Sequence, residues 1–234
     1  MKFVYIFLFS FLVYGEKVPF QIGEVLNYKA SFGSIKAAHA QLKVIKKDTI
    51  DKTSVYHVQF NAKTEGVLNL IFPIEDQIDL WIDEESLLPR KIKINIKEGK
   101  FRKNTDIYIP KSSNYIISNN DTIYTSKSIH SSYSLFYFIR KPTFSIKNDN
   151  LVYTIQNKKI IPLNLEIDKN IKIMVPAGNF NCFRVLPKRS DKQEFKNNAQ
   201  MSMLFSNDNK RYPIKIWINL KYGSLVLELE EVIN

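Results

Sequence analysis

Six carboxylates within one short segment are the densest group of side chains in the sequence that could do chemistry. The segment EDQIDLWIDEE contains Glu75, Asp76, Asp79, Asp83, Glu84 and Glu85. Two such groups could act as the acid and the base of a glycosidase. In a strand, Asp79 and Asp83 would share one face with Gln77 and Trp81. A lysine-bearing segment follows, so cross-strand charge pairing is the favoured interpretation of this cluster.

The three histidines are His39, His57 and His130. His39 and His57 fall on the polar faces of predicted strands, and these strands could be neighbours. No HxH or HExxH spacing is present, so we expect solvent-facing histidines and no metal site. The NDN tripeptides at 148–150 and 207–209 lack the spacing and the closing glutamate of an EF-hand, which favours turns.

Motifs of nucleophilic or nucleotide chemistry are absent from the sequence, which has no GxSxG, P-loop or GxGxxG pattern. We therefore expect no catalytic residue, no cofactor and no metal ligand, and a protein that is not an enzyme. Cys182, the single cysteine, cannot form an intrachain disulfide. It shares a predicted strand face with Phe180, so we expect a buried, unreactive thiol rather than a nucleophile.

The first fifteen residues form a separate segment. Residues 1–15, MKFVYIFLFSFLVYG, combine one early lysine with an apolar run that is too short to span a bilayer. A small residue, Gly15, ends the segment, which indicates a signal peptide cleaved after it. No second long apolar segment follows, so we expect no transmembrane segment in the mature chain. The mature part, 16–234, is predicted to be one domain.

The formal net charge is +11, and the basic residues are spread along the chain. In KIKINIK the lysines Lys91, Lys93 and Lys97 alternate with isoleucines, as on a sheet with one solvent-exposed face. An exported protein is not expected to bind nucleic acid. A basic exterior could attract an anionic lipid or an anionic envelope polymer.

Apolar residues recur with a period of two along most of the chain, which is typical of strands. Turn-rich segments separate these runs every 8 to 15 residues or so, as in antiparallel hairpins. The fold is therefore predicted to be mainly β, as a strongly curved antiparallel sheet or a barrel-like meander. One short helix is predicted near 131–141, because SSYSLFYFIRK begins with two serines and ends before Pro142.

A β-hairpin is predicted where two branched runs flank Pro176-Ala177-Gly178-Asn179. Gly178 would supply the positive φ of the turn, and Phe180 would enter the core.

Several segments, taken in order, resemble the DUF3108 family of exported bacterial proteins of unknown function. They are FQIGEVLNYKASF with Phe20, Gly23, Glu24, Leu26 and Tyr28, then DLWIDEESLLPRKIKI, SLFYFIRK ending in Arg140, VPAGNFNCFRVLPK, FSNDNKRYPIKI and LKYGSLVLELEEV. The resemblance implies a curved, mostly antiparallel β fold and a place in the envelope of a Gram-negative bacterium, in the periplasm or at the outer-membrane periphery. It implies no activity.

The favoured function is a non-enzymatic exported protein that binds a lipid, a glycolipid or another envelope component in an apolar cleft. A curved sheet can enclose such a cleft, and the chain has 16 Phe and 12 Tyr to line it. Two alternatives stay open. One is a structural or protein-interaction module without a small ligand, and the other is a hydrolase of envelope polymers that uses the carboxylates of 75–85.

Overall fold

A computed structural model describes residues 18–33, 35–147, 150–156, 158–193, 200–220 and 223–234. The predicted signal peptide, 1–15, and most of the NDN tripeptide at 148–150 lie outside these ranges. No helix in the described part of the chain is long and apolar enough to cross a membrane.

Fifteen strands and two short helices make up the described structure. The strands of the first half are β1 (Val25–Phe32), β2 (Ile35–Ile50), β3 (Thr53–Thr64), β4 (Glu75–Asp83), β5 (Pro89–Glu98), β6 (Phe101–Tyr108), β7 (Tyr115–Ser118), β8 (Asp121–Tyr124) and β9 (Ile129–His130). Those of the second half are β10 (Asn150–Gln156), β11 (Lys159–Val175), β12 (Gly178–Arg189), β13 (Gln200–Ser206), β14 (Pro213–Leu220) and β15 (Gly223–Ile233). The helices are α1 (Gly66–Ile71) and α2 (Leu135–Phe138).

All fifteen strands belong to one sheet, in the order β8-β7-β6-β5-β4-β3-β2-β1-β15-β14-β13-β12-β11-β10-β9. Every neighbouring pair is antiparallel except β9 and β10, which are parallel. The first and last strands of the chain therefore pair at the centre of the sheet, and two strands from the middle of the chain form its edges. The prediction of a mainly β, curved antiparallel sheet is confirmed, although the sheet is not closed into a barrel.

The two edges of the sheet lie close together. The residues 125–128 join β8 to β9, and so short a link spans at most roughly 18 Å. Across the gap, the Lys158 ammonium pairs with the Asp121 carboxylate, and the Lys127 ammonium lies 5.0 Å from the centre of the Tyr153 ring. The sheet thus curls almost fully round, with a seam between β8 and β9 that side chains bridge.

One face of the sheet, here called the inner face, carries the core. It presents alternate residues of each strand, as in β1, where Leu26, Tyr28 and Ala30 are buried and the residues between them are not. The same alternation places Leu42, Val58, Ile78, Ile92, Val185, Met203 and Leu229 in one continuous apolar cluster. The opposite, outer face carries polar residues such as Asp79 and Lys93, together with Trp81, Trp217 and Val226.

The helix expected near 131–141 exists but is shorter than that segment. α2 covers four residues, all but Phe138 buried, which it packs into the core. Ser131 and Ser134 hold its start, because each backbone N–H donates to the other's hydroxyl, at 2.9 and 3.0 Å. One helical turn is enough to bury the few apolar residues of α2. The chain then continues through Arg140 to Pro142.

The predicted hairpin joins β11 to β12. Gly178 has φ of +129°, which favours glycine, as expected for the turn. Cys182 is 1% exposed, and burial raises the pKa of its thiol to about 11, so the expected buried thiol is observed. Phe180 packs against the core cluster, but it is only partly buried.

Candidate functional site

The inner face is progressively less buried toward one end of the sheet, here called the open end. Six strands show this change. In each, the inner-facing residue nearer the open end is partly exposed, and the inner-facing residue before it, two positions away in the strand, is buried. The pairs are Val58 and Phe60 in β3, Ile78 and Asp76 in β4, Ile92 and Ile94 in β5, Met203 and Met201 in β13, Ile216 and Ile218 in β14, and Leu227 and Leu225 in β15. Two apolar walls, one on β3–β5 and one on β13–β15, are therefore within reach of solvent at this end.

The opposite end of the inner face is covered by the chain itself. The ring of Phe20 lies edge-on to the rings of Tyr56 and Tyr137, with centroids 5.1 and 5.2 Å away. The backbone of this N-terminal segment is tied to β2, because Gly23 N donates to Val44 O and Val44 N donates to Glu24 O. Access to the inner face is thus through the open end.

Two carboxyl groups lie on the inner face at the open end. Asp76 stands opposite Ala62 in the register of β3 and β4, and its Oδ1 accepts a hydrogen bond from Lys97 N at 3.1 Å. Burial, together with the neighbouring Glu98 carboxyl, raises the pKa of Asp76 to about 6. Burial and these two carboxyl groups raise the pKa of Tyr133 to about 12. The tyrosine ring lies 5.4 Å from Phe60, so this polar group adjoins the apolar wall on β3–β5.

Replacing Asp76 by Asn is expected to stabilise the protein at neutral pH by about 1 kcal/mol, after allowing for solvent screening of a half-buried group. The folded pKa lies above the ordinary value, so the native state binds more protons between about pH 4 and pH 6. The parent therefore loses stability as pH rises through this range, whereas the amide does not titrate. Urea unfolding at pH 4, 5, 6 and 7 measures the difference, which should vanish at pH 4.

Asp79→Asn is the matched control for that measurement, because it makes the same change on the outer face of the same strand. Burial opposes ionisation of Asp79, but hydrogen bonds from Gln77, His57 and Gln59 hold its pKa below the ordinary value. Its replacement should therefore destabilise the protein at pH 7. Equal effects of the two variants would contradict the assignment of Asp76 to a poorly solvated inner position.

The outer face of β3 and β4 carries a hydrogen-bonded cluster centred on Asp79. His57 Nε2 lies 2.8 Å from Asp79 Oδ1, and the amides of Gln59 and Gln77 donate to the same carboxylate at 2.8 and 2.7 Å. The His57 ring stacks on Trp81 with centroids 4.5 Å apart. His57 is thus held by its neighbours and its side chain is only 15% exposed, so the expectation of a solvent-facing histidine is wrong here.

Asp83 has a structural position, away from Asp79. Its Oδ2 accepts from the Arg90 guanidinium at 3.0 Å, while its Oδ1 accepts from the N–H groups of Glu85 and Ser86. Burial opposes its ionisation, but these hydrogen bonds keep its pKa below the ordinary value. It therefore closes the β4–β5 turn, in which Leu87 adopts a positive φ of +57°.

The remaining carboxylates of the segment and the other histidines have separate environments. Glu75 pairs with Lys97 at 3.3 Å, Glu84 pairs with Lys47, and Glu85 is exposed. His39 Nε2 lies 3.3 Å from a Glu65 carboxylate oxygen. His130 is buried in β9, so the expectation of a solvent-facing histidine is wrong at this position as well. The fold thus separates the six carboxylates of 75–85 into different surroundings. Charge pairing between β4 and β5 occurs as predicted at Glu75. Within the described ranges, no three potential ligands are grouped as a metal site would require.

A buried ion pair that the sequence did not predict joins segments that are far apart in the chain. The guanidinium of Arg140 donates two hydrogen bonds to the Glu24 carboxylate, at 2.6 and 2.9 Å, and both side chains are 2% exposed. Arg140 also donates to Pro19 O at 3.3 Å and to Lys210 O at 3.1 Å. It therefore ties the start of the described chain, the α2 segment and the β13–β14 loop together.

Arg140 of this pair lies within the residues that a family model matches, and Glu24 lies just before them. The family model described as "Protein of unknown function (DUF3108)" matches residues 27–230. The chain belongs to the DUF3108 family. No functionally curated protein matches it.

A solved structure of similar fold comes from a bacterium. The DUF3108 chain resembles a crystal structure from Brucella abortus described as a beta-barrel-like protein of the domain of unknown function DUF1849. Their TM-score is 0.56 at 8% identity, over 90% of this chain and 97% of that one. This likeness supports the curved β architecture alone.

Two further matches are weaker. A protein of Parabacteroides distasonis, provisionally described as a lipoprotein, has a TM-score of 0.40 and 11% identity over 91% of this chain and 96% of that chain. A protein of Bacteroides fragilis, provisionally described as exported and having a YmcC-like fold, has a TM-score of 0.39 and 7% identity over 92% and 97%.

Proposed function

We propose that this DUF3108 protein is an exported, non-enzymatic protein of the cell envelope that holds an amphipathic ligand at the open end of its inner face. The observation that carries this proposal is the loss of burial toward one end in two groups of three neighbouring strands, β3–β5 and β13–β15. A sheet that needed only a filled core would bury these apolar residues. Export, to the periplasm or the outer-membrane periphery, is supported by the predicted signal peptide at 1–15.

The chemistry of the open end favours a ligand with an apolar chain and a hydroxyl-bearing head group, such as a glycolipid. Phe60, Ile94, Ile218 and Leu225 offer apolar contact area. The Asp76 and Glu98 carboxyl groups at the rim accept hydrogen bonds, and the protonated form of Asp76 donates one. Partly desolvated carboxyl groups disfavour an anionic head group, because like charges repel.

The structure gives less support to the two alternative functions. The edge strands β8 and β9 have four and two residues, and edges this short offer little backbone for a partner strand to pair with. A hydrolase would need two of the carboxylates of 75–85 to converge on one substrate. Asp79 lies on the outer face, and Asp83 is engaged by Arg90 in a turn.

Leu225→Gln should weaken binding of an apolar probe about tenfold, which corresponds to about 1.4 kcal/mol of lost contact. Val226→Gln is the control, because Val226 is the next residue of β15, is also partly exposed, and faces outward opposite Trp217. Fluorescence titration with N-phenyl-1-naphthylamine gives the affinities. Octyl β-glucoside below its micellar concentration should compete with the probe.

Native mass spectrometry of the protein purified from an expressing envelope complements this titration by finding any ligand that is retained. No probe binding by the parent, together with no retained ligand, would contradict a binding site at the open end. Equal weakening by the two substitutions would place the probe elsewhere.

A further inference from the structure

We infer that this protein docks on an anionic phospholipid surface through four exposed apolar side chains at the open end, here called the apolar tip. They are Leu70 (84% exposed), Ile71 (73%), Phe72 (50%) and Phe101 (55%). Large apolar side chains this exposed and this close together are unusual on a soluble protein and mark an interaction surface. Docking there uses a different surface from the inner face and does not require a ligand inside the sheet.

The apolar tip is a built feature, because hydrogen bonds fix the base of the loop that carries it. Thr64 Oγ1 donates to Asn69 Oδ1 at 3.0 Å and accepts from Ile74 N at 2.8 Å. Gly99 N donates to Pro73 O at 2.7 Å, which joins the loop to the β5–β6 turn. The side chains therefore stay exposed although the backbone beneath them is held.

Contact between Phe72 and Gly99 joins the α1 loop to the β5–β6 turn that carries Phe101. A Cβ placed on Gly99, whose φ is +53°, would lie 2.9 Å from the Phe72 ring. Glycine is thus required for the close approach as well as for the turn. Arg102 donates from Nη1 to Gly99 O and Phe101 O, at 2.7 and 2.8 Å, and so fixes the turn on its other side.

The arrangement of the tip favours a lipid surface over a protein partner. Leu70 and Ile71 are consecutive in α1, and consecutive helical residues point about 100° apart. Phe72 follows at once and is also exposed, so no flat protein face could cover all three side chains together. A fluid interface can surround them.

Cations around the tip give the surface its preference for anionic lipid. Lys63 and Lys100 are exposed, and no carboxylate of the described residues lies within 4 Å of either ammonium group. Of the nearby exposed acids, Glu75 is paired with Lys97, and Glu65 lies 3.3 Å from His39 Nε2. Basic groups beside inserted apolar side chains increase affinity for membranes that carry negative charge.

Sedimentation with vesicles tests docking on lipid. The protein recovered after export is mixed with vesicles of phosphatidylcholine alone or of phosphatidylcholine and phosphatidylglycerol at 3:1. We expect binding to the anionic vesicles. Leu70→Ser combined with Ile71→Ser should lower the partition coefficient at least tenfold, and Lys63→Glu combined with Lys100→Glu should remove the preference for the anionic vesicles.

Leu151→Ser combined with Met174→Ser is the matched control, since these two side chains are 56% and 75% exposed and belong to β10 and β11. The control should bind as the parent does. Leu225→Gln should also leave vesicle binding unchanged, so a failure of the inner-face site would not be mistaken for a failure of the tip.

Three results would overturn docking through the tip. The parent could fail to bind either vesicle, the tip and control variants could bind equally, or sedimentation velocity could show that the tip mediates self-association while the protein does not bind vesicles.

Direct contact between the tip and the lipid has its own readout. Leu70→Trp should give fluorescence emission that brominated phospholipid quenches, and this quenching should exceed that of Trp81 and Trp217 in the parent. Quenching equal to that of the parent would count against insertion.

Discussion

Arg140→Met is expected to destabilise the protein by about 3–5 kcal/mol, because it leaves the Glu24 carboxylate buried without its counter-charge. The guanidinium also lies 5.4 Å from the centre of the Phe20 ring and 5.3 Å from that of Tyr212, so the substitution weakens packing as well as charge pairing. Urea unfolding followed by circular dichroism measures the loss. It is a large part of the stability of an ordinary domain.

A second substitution separates the charge effect from the packing effect. Glu24→Gln in the Arg140→Met background removes the uncompensated charge, so the double variant should be more stable than Arg140→Met alone. If Arg140→Met does not fold, Arg140→Lys keeps the charge with fewer hydrogen bonds and should show a smaller loss.

Arg184→Met is the matched control for the buried pair. Arg184 pairs with Asp168 on neighbouring strands, but their side chains are 44% and 55% exposed. Exposed pairs contribute little, so we expect a loss below about 1 kcal/mol. Similar losses for Arg140→Met and Arg184→Met would show that burial of the Glu24 pair has no energetic consequence, contrary to expectation.

The Glu24–Arg140 pair illustrates which part of this structure could be predicted from sequence. Alternation within single strands identified the β class, the apolar faces and the hairpin at Gly178, since these depend on neighbouring residues. The partners of the pair are 116 positions apart. Nothing local links a glutamate before β1 to an arginine after α2, because their meeting depends on the order of strands in the sheet.

The candidate site was less predictable than the fold, for the same reason. Sequence analysis treated the carboxylates of 75–85 as one group, whereas Asp76 and Asp79 lie on opposite faces of β4 and Asp83 belongs to a turn. The open end depends on how far α2 and the N-terminal segment fill the curved sheet, which single-strand patterns do not report. The apolar tip had a local signal, LNLIFP, which the sequence analysis did not use.

Because of His130, the free energy of unfolding is expected to fall by about 3 kcal/mol between pH 7 and pH 4. The side chain is 4% exposed, its Nδ1 has no hydrogen-bond partner, and its ring lies 4.4 Å from that of Phe138. Burial therefore lowers the pKa of His130 to about 4.

The sign of this effect follows from proton binding. Between about pH 6.5 and pH 4 the unfolded chain binds a proton at this histidine and the native state does not, so stability falls as pH falls. Asp76 acts in the opposite direction over much of this range, and its charge would mask part of the effect. The measurement is therefore made in the Asp76→Asn background, by urea unfolding at pH 7, 6, 5 and 4.

His130→Gln in that background should remove most of the pH dependence, since the amide does not titrate. His39→Gln is the control, because it makes the same change at a histidine that is 32% exposed on another strand. The loss of stability should also be local, since His130 lies in β9, the strand at the seam of the sheet, and pairs with Thr154 of β10. Hydrogen exchange at pH 5 is expected to be faster in β10 of the parent than of His130→Gln. An identical pH profile with and without His130 would mean that the imidazole is solvated in the native state, and that the seam is open at that strand.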